Sequence, residues 1–231
     1  MPSGADLPSS LASCAMAAKA YEGAGEGAFS ACVFDFGGVL TSPVWAAFSS
    51  FCSAQGLDPD AIRNLFRDDP AALGDLRELE AGRIEPEVFE AQFASRLGLA
   101  NHEGIIERLF EAMEPKQEML SAVSEIRQAG IRTGLLSNSW RTDQYDRAML
   151  EGLFDDVVIS GEVGMHKPNP DIYLLAAERL GVTPQQCVFV DDLRENCEGA
   201  EAVGMRALLH RDVPGTLVSL ESLTGVSLTE I

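Results

Sequence analysis

An α/β fold, with a Rossmann-like doubly wound parallel sheet and a small inserted helical bundle, is predicted from three observations. Short apolar runs that end in polar residues recur along the chain, and after residue 115 helical periodicity separates one run from the next. Between the first run and the others lies a long stretch whose periodicity is helical throughout. A strand–helix–strand alternation implies parallel strands covered on both faces, so the long helical stretch reads as an insertion into that alternation.

Residues 1–28 are dominated by Ala, Gly, Ser and Pro without a period, and are expected to form a flexible N-terminal tail. The first strand is Ala31-Cys32-Val33-Phe34, which meets Asp35 and breaks at Gly37-Gly38. An acid delivered there by a buried strand is a candidate nucleophile or, alternatively, a cap for a following helix. From 44 to 114, apolar residues recur at helical spacing. Trp45, Phe48 and Phe51 begin the series, Ile62 and Phe66 continue it, then Phe89 and Phe93, and Ile105-Ile106 with Leu109 close it. Gly56, Pro59, Pro70, Gly82, Pro86, Gly98 and Pro115 divide it into short helices. Past Pro115, a helix through Ile126 leads to a strand at Thr133-Gly134-Leu135-Leu136-Ser137 and another at Val157-Val158-Ile159-Ser160. Asn169 caps a helix with Pro170 at its first position, Cys187-Val188-Phe189-Val190 is a strand ending in Asp191-Asp192, and Arg206 to Leu209 is the last strand. Residues 29–43 and 116–231 thus belong to one core, split by a helical cap at 44–115.

Hydrophobic residues at 46% and charged ones at 23% are the composition of a globular chain. Seventeen Lys and Arg against 36 Asp and Glu give a net charge of -19, which repels nucleic acid and anionic membranes and argues against both as partners. Any phosphate site must overcome this field with a local cation or oriented amides. Five cysteines, without Cys-x-x-Cys spacing and partly inside apolar runs, suggest a reducing, cytoplasmic setting. Neither a secretory leader nor an apolar run of membrane-spanning length is read. Oligomeric state is not legible.

In an open parallel sheet, ligands bind beyond the carboxyl ends of the strands. Four such ends carry polar chemistry: Asp35; Ser137-Asn138-Ser139; the loop with His166-Lys167-Pro168; and Asp191-Asp192 with Asn196 shortly after. Taken in order, VFDFGGVL, LSNSW, GMHKPNPDIY and VFVDD resemble the haloacid dehalogenase superfamily of hydrolases in its helical-cap subfamily. The likeness covers about residues 29–212. Its flavour is closest to the branch containing the N-terminal phosphatase domain of soluble epoxide hydrolase and the bacterial sugar-1-phosphate phosphatases.

The resemblance implies that Asp35 attacks phosphorus to form an aspartyl phosphate, that Ser137 and Asn138 hold phosphoryl oxygens, and that Lys167 neutralises the phosphate. It implies a Mg2+ held by Asp35, the carbonyl of Gly37 and Asp192, with Asp191 alongside and Asn196 further out. Electrostatics supports that cation independently. Carboxylates about 4 Å apart repel by about 4 kcal/mol per pair at an effective dielectric near 20, more than one Lys offsets, and a hard divalent cation suits an oxygen donor set.

The departure from the family pattern lies at Gly37, where phosphatases of this type carry a second Asp that protonates the leaving group; Val39 likewise replaces a usual Thr. Loss of a general acid costs about 10² to 10⁴-fold. Three outcomes are open: a substrate with an undemanding leaving group, such as an anomeric sugar phosphate or an acyl phosphate; a proton supplied by the helical cap or by His166; or lost catalysis. The leading expectation is a Mg2+-dependent phosphatase acting on a small phosphomonoester. A phosphatase-like binding domain and a metal-free 2-haloacid dehalogenase are the rivals.

Overall fold

A computed structural model describes residues 29–228; the tail expected at residues 1–28, with Cys14, lies outside the described residues. Five parallel strands form one sheet in the order β3-β2-β1-β4-β5, where β1 is Ala31–Phe34, β2 Arg132–Ser137, β3 Asp156–Ile159, β4 Cys187–Asp191 and β5 Arg206–Leu209. The central strand, β1, is buried along its whole length, as an apolar run without polar alternation requires when both faces are covered. Side chains alternate across the sheet. Cys32 and Phe34 pack into a core with Met119, Val123 and Ile126, whereas Ala31 and Val33 pack into a second core with Ile172, Tyr173 and Ala176.

Between β1 and the helix α6 (Gln117–Gln128) the chain forms five helices: α1 (Val44–Ala54), α2 (Ala61–Asp68), α3 (Pro70–Glu80), α4 (Pro86–Leu97) and α5 (Ile105–Phe110). Local signals set their ends. Asp69 accepts hydrogen bonds from the amides of Ala71 and Ala72 with Pro70 at the first position, and Gly98 closes α4 with φ 69°. The start of α5 is held from a distance: the buried Glu90 carboxylate accepts the amides of Gly104 (3.1 Å) and Ile106 (3.0 Å). These helices share their own hydrophobic cluster, built on Phe48, Phe66, Phe89, Phe93, Ile106 and Leu109.

Trp140, in the loop after β2, inserts into that cluster. Its ring lies 5.3 Å from Phe48, 5.4 Å from Phe89 and 5.5 Å from Phe110, so one residue of the sheet layer is packed as part of the helical layer. The chain leaves and re-enters the sheet layer side by side. Ser42 N–H donates to Glu114 O (2.7 Å), Lys116 N–H donates to Leu40 O (2.8 Å), and Thr41 bridges Pro115.

The remaining helices are α7 (Arg147–Leu153), the single turn α8 (Ser160–Val163), α9 (Pro170–Arg179), α10 (Arg194–Ala202) and α11 (Val213–Thr224). Asn169 caps α9 by accepting the amide of Asp171, with Pro170 first in the helix, as its sequence predicts. Among the described residues no helix is long and apolar enough to cross a membrane.

Candidate active site

Register brings the polar strand ends together. Phe34 pairs with Leu135 on one side and Val190 on the other, so the next residue, Asp35, emerges between the ends of β2 and β4, its N–H donating to Val190 O (2.9 Å). No helix starts at Asp35. The chain turns through residues 36–40 and enters α1 only at Val44, so the capping alternative for Asp35 is set aside. Nor does a helix start at Ser137: the chain passes through residues 138–141 into a 3-10 turn at Thr142–Gln144, and the Ser137 hydroxyl meets the Tyr145 hydroxyl at 2.9 Å.

Lys167 is the hub. Its buried ammonium donates to Asp35 Oδ1 (2.6 Å), Asp191 Oδ2 (2.7 Å) and the carbonyl of Leu136 (2.9 Å), reaching three neighbouring strands at once. Burial alone would lower the pKa of this lysine; Asp191 and Asp35 outweigh it and hold the group charged. Asn138 fixes the lysine's backbone on both sides. Its Oδ1 accepts Lys167 N–H (2.8 Å) and its Nδ2 donates to Lys167 O (3.1 Å), so this side chain aims the lysine. His166 turns back onto the carbonyl of Lys167 through Nδ1 at 2.8 Å.

The two adjacent aspartates have different environments. Asp191 is fully buried and saturated: besides Lys167 it accepts the Leu193 amide (2.8 Å) and Asn196 Nδ2 at both oxygens (3.0 and 3.1 Å). Asp192 points toward the cavity and has no ion pair among the described residues. It lies against Gly38, whose φ of 84° already favours glycine, and a Cβ there would run into the Asp192 carboxylate. Burial, reinforced by Asp191, pushes the Asp192 carboxyl up to about 6. Burial likewise pushes Asp35 up to about 7; Lys167 opposes the rise, and Asp191 and Asp192 add to it.

Carboxylate oxygens of Asp35, Asp191 and Asp192 lie within 4.8 Å of one another. Among the described residues, Lys167 is the one ammonium paired with them, leaving two negative charges in excess when all three acids are ionised. Each like-charged pair at that separation costs roughly 3 kcal/mol at an effective dielectric near 20. An all-oxygen, doubly negative cluster beside an open cavity fits a hard divalent cation.

Above this floor is a cavity of about 420 Å3. Asp35, Gly37, Ser137, Asn138, Lys167 and Asp192 line its base, and Trp45, Phe48, Phe66, Leu76, Phe110 and Trp140 form apolar walls. Among the aromatic and basic residues of the helical layer, Trp45 and Phe48 line this cavity, whereas Arg77 does not. Arg63 instead stacks on Trp45 at 5.2 Å, and Arg67 pairs with Asp68 in solvent.

Two wall residues were not singled out as functional by sequence reasoning: Trp140, visible only as the last letter of LSNSW, and Glu80. Glu80 ends α3 and accepts from Asn138 Nδ2 at 3.2 Å. Its burial pushes the carboxyl up to about 7 against the opposing charge of Lys167 and a hydrogen bond from Trp140. The signal that could have flagged it is a Glu directly before Ala81-Gly82 at a helix end facing the strand termini, which is visible only once the helix is oriented.

The family model of the haloacid dehalogenase-like hydrolases matches residues 29–204. Bifunctional epoxide hydrolase 2 of Sus scrofa is 30% identical over 88% of this chain and 40% of its own length. The sesquiterpene phosphatase astK of Aspergillus oryzae is 27% identical over 85% of this chain and 97% of its own. The chain spans less than half the length of the epoxide hydrolases it matches. Among solved structures, a HAD family enzyme of Bacteroides thetaiotaomicron in complex with magnesium and inorganic phosphate shares the fold, with a TM-score of 0.60 and 21% identity over 79% of this chain and 94% of that one.

Proposed function

Since this chain belongs to the haloacid dehalogenase-like hydrolases, we propose that it hydrolyses a phosphate monoester whose alcohol is apolar. The observation that carries the reading is a charge-dense floor, in which Lys167 grips Asp35 at 2.6 Å, beneath walls made largely of aromatic rings. A phosphoryl group finds its cation and nucleophile below, and a hydrocarbon body finds burial above. A sugar would leave its hydroxyls facing Trp45, Phe48 and Phe110, which accept no hydrogen bonds, so the walls favour an apolar leaving group over the sugar-like one that the resemblance suggests. The Aspergillus relative, a sesquiterpene phosphatase, agrees with this preference.

The chain's own residues supply most of the steps. Lys167 holds Asp35 by Oδ1, leaving the other carboxylate oxygen to attack phosphorus. The same ammonium offsets charge gathering on the phosphoryl oxygens. Asn138 keeps Lys167 in place, and Asn196 keeps Asp191 committed to it. Asp35, the Gly37 carbonyl and Asp192 would hold a Mg2+, with Asp191, already bonded to Lys167, Leu193 and Asn196, alongside. Bound there, the ion would polarise the phosphoryl group and neutralise the excess charge. Hydrolysis of the aspartyl phosphate by water then restores Asp35.

The test is phosphate release from an isoprenoid monophosphate, an aryl phosphate and a hexose phosphate, each with and without Mg2+, using Asp35→Asn as control. Release from the apolar esters that depends on Asp35 and on Mg2+ is expected. Faster release from the hexose phosphate would overturn the apolar assignment while keeping the chemistry. No release from any ester would favour a binding domain, and metal-free halide release from a 2-haloacid would replace the phosphatase reading.

A further inference from the structure

Gly37 stands where the family resemblance implies a proton-donating Asp, and the structure leaves little room for a side chain there. A Cβ at Gly37 would lie 2.8 Å from Cγ2 of Val44, a stiff β-branched residue at the start of α1. For the alcohol leaving group proposed above, a proton donor has to stand elsewhere on the cavity wall.

Glu80 meets that requirement by position. It lines the same cavity as Asp35, Lys167 and Asp192, but from the helical layer, so a leaving group held in that cavity shares its space with Glu80. It is tied to the phosphate end of the site through Asn138, whose Nδ2 donates to Glu80 Oε2 at 3.2 Å and to Lys167 O at 3.1 Å. The end of α3 is held close to the sheet layer by two glycines. A Cβ on Gly82, whose φ is 66°, would lie 2.6 Å from the carbonyl of Gly161 in α8, so the contact needs glycine at that place.

Resting on the phosphatase reading above, we propose that Glu80 is the general acid and base that Gly37 cannot be. As Asp35 attacks phosphorus, the P–O bond to the alcohol breaks and the alkoxide takes the Glu80 proton. The resulting Glu80 carboxylate then takes a proton from the water that attacks the aspartyl phosphate. Inorganic phosphate leaves, and both Asp35 and protonated Glu80 are regenerated. The groups facing Glu80 fit this role. Burial raises its carboxyl to about 7, poised for both transfers near neutral pH. Lys167 from the loop before α9 and Arg77 from its own helix oppose the rise, as do hydrogen bonds from Trp140 and Asn138, while Asp35 and Asp192 line the cavity beyond. His166, the other donor suggested by sequence, is turned onto the Lys167 carbonyl.

The experiment compares kcat/KM for hexyl phosphate and 4-nitrophenyl phosphate across pH, in wild type, Glu80→Gln and Asp35→Asn. The nitrophenolate leaves without a proton, whereas hexanol does not. Glu80→Gln keeps an acceptor oxygen for Asn138 and Trp140. It is expected to lose about 10² to 10⁴-fold on hexyl phosphate, far less on the aryl ester, and to lose the alkaline limb near neutral pH. Equal losses on both esters, or unchanged hexyl turnover, overturn the proposal. If Glu80→Gln does not fold, wild type alone decides. An alkaline limb for hexyl but not for aryl phosphate supports Glu80, and identical profiles overturn it. Aryl turnover that survives Asp35→Asn, or is absent in wild type, defeats the phosphatase reading itself and is seen separately from the Glu80 comparison.

Discussion

Replacing Glu80 with Gln should make the protein more stable at mildly alkaline pH, an outcome that runs against the usual cost of altering a partly buried side chain. A carboxyl whose pKa rises from 4.5 in the unfolded chain to about 7 in the fold binds its proton more tightly when folded. Its stabilising contribution is therefore complete below about pH 4.5 and is lost progressively as pH rises to about 7. At about 1.36 kcal/mol per tenfold change in proton affinity, the loss approaches roughly 3 kcal/mol above that range. Gln has the same shape, keeps an acceptor for the Asn138 amide at 3.2 Å, and carries no charge to desolvate. Urea unfolding of wild type and Glu80→Gln from about pH 4 to about pH 8 should show the variant gaining steadily over the window and levelling off near its upper end. Glu78→Gln is the control, because the Arg83 hydrogen bond holds the exposed Glu78 carboxyl below the ordinary range, and no alkaline gain should appear. A stability difference that does not vary with pH, or a variant less stable than wild type at pH 8, would refute the assignment of Glu80 as a carboxyl neutralised by burial.

Lys167→Met should cost about 3–5 kcal/mol above neutral pH, because it strips the cation that pairs with buried Asp35 and Asp191. That cost should shrink as pH falls toward about 7, where burial already favours the protonated form of Asp35, which parallel unfolding curves would show. Trp140→Ala should cost about 3–5 kcal/mol by emptying the centre of the aromatic cluster, with a loss of near-ultraviolet circular dichroism out of proportion to the loss of helix signal. Gly38→Ala should destabilise through both its φ of 84° and its collision with Asp192, whereas Gly74→Ala, in open space on α3, should be neutral or stabilising. A thermal melt of each pair reads the difference.

Much of the fold was legible because its signals are local. The buried run at β1, the Asn169-Pro170 start of α9 and the division of residues 44–114 into short helices all rest on periodicity, caps and breakers that act within a few residues. The candidate site was legible at its floor for a related reason: a parallel sheet places every strand's carboxyl end on one side, so polar residues after apolar runs must converge. The role of each neighbour was not legible. Whether Asp191 or Asp192 is saturated depends on which one meets Lys167 and Asn196, residues brought in from two other segments. The walls were beyond reach for the same reason, since Phe48, Phe110 and Trp140 share a face only after the helical layer folds over the sheet.

Sequence alone determined the α/β architecture, the interruption after β1, the acid at Asp35 and the glycine at 37, because each is written in residues adjacent along the chain. Tertiary structure decided what Gly37 means. Val44 crowds that position, and Glu80 faces the cavity from the helical layer with its proton retained by burial. Desolvation and packing are properties of a folded neighbourhood, and no span of the sequence carries them by itself.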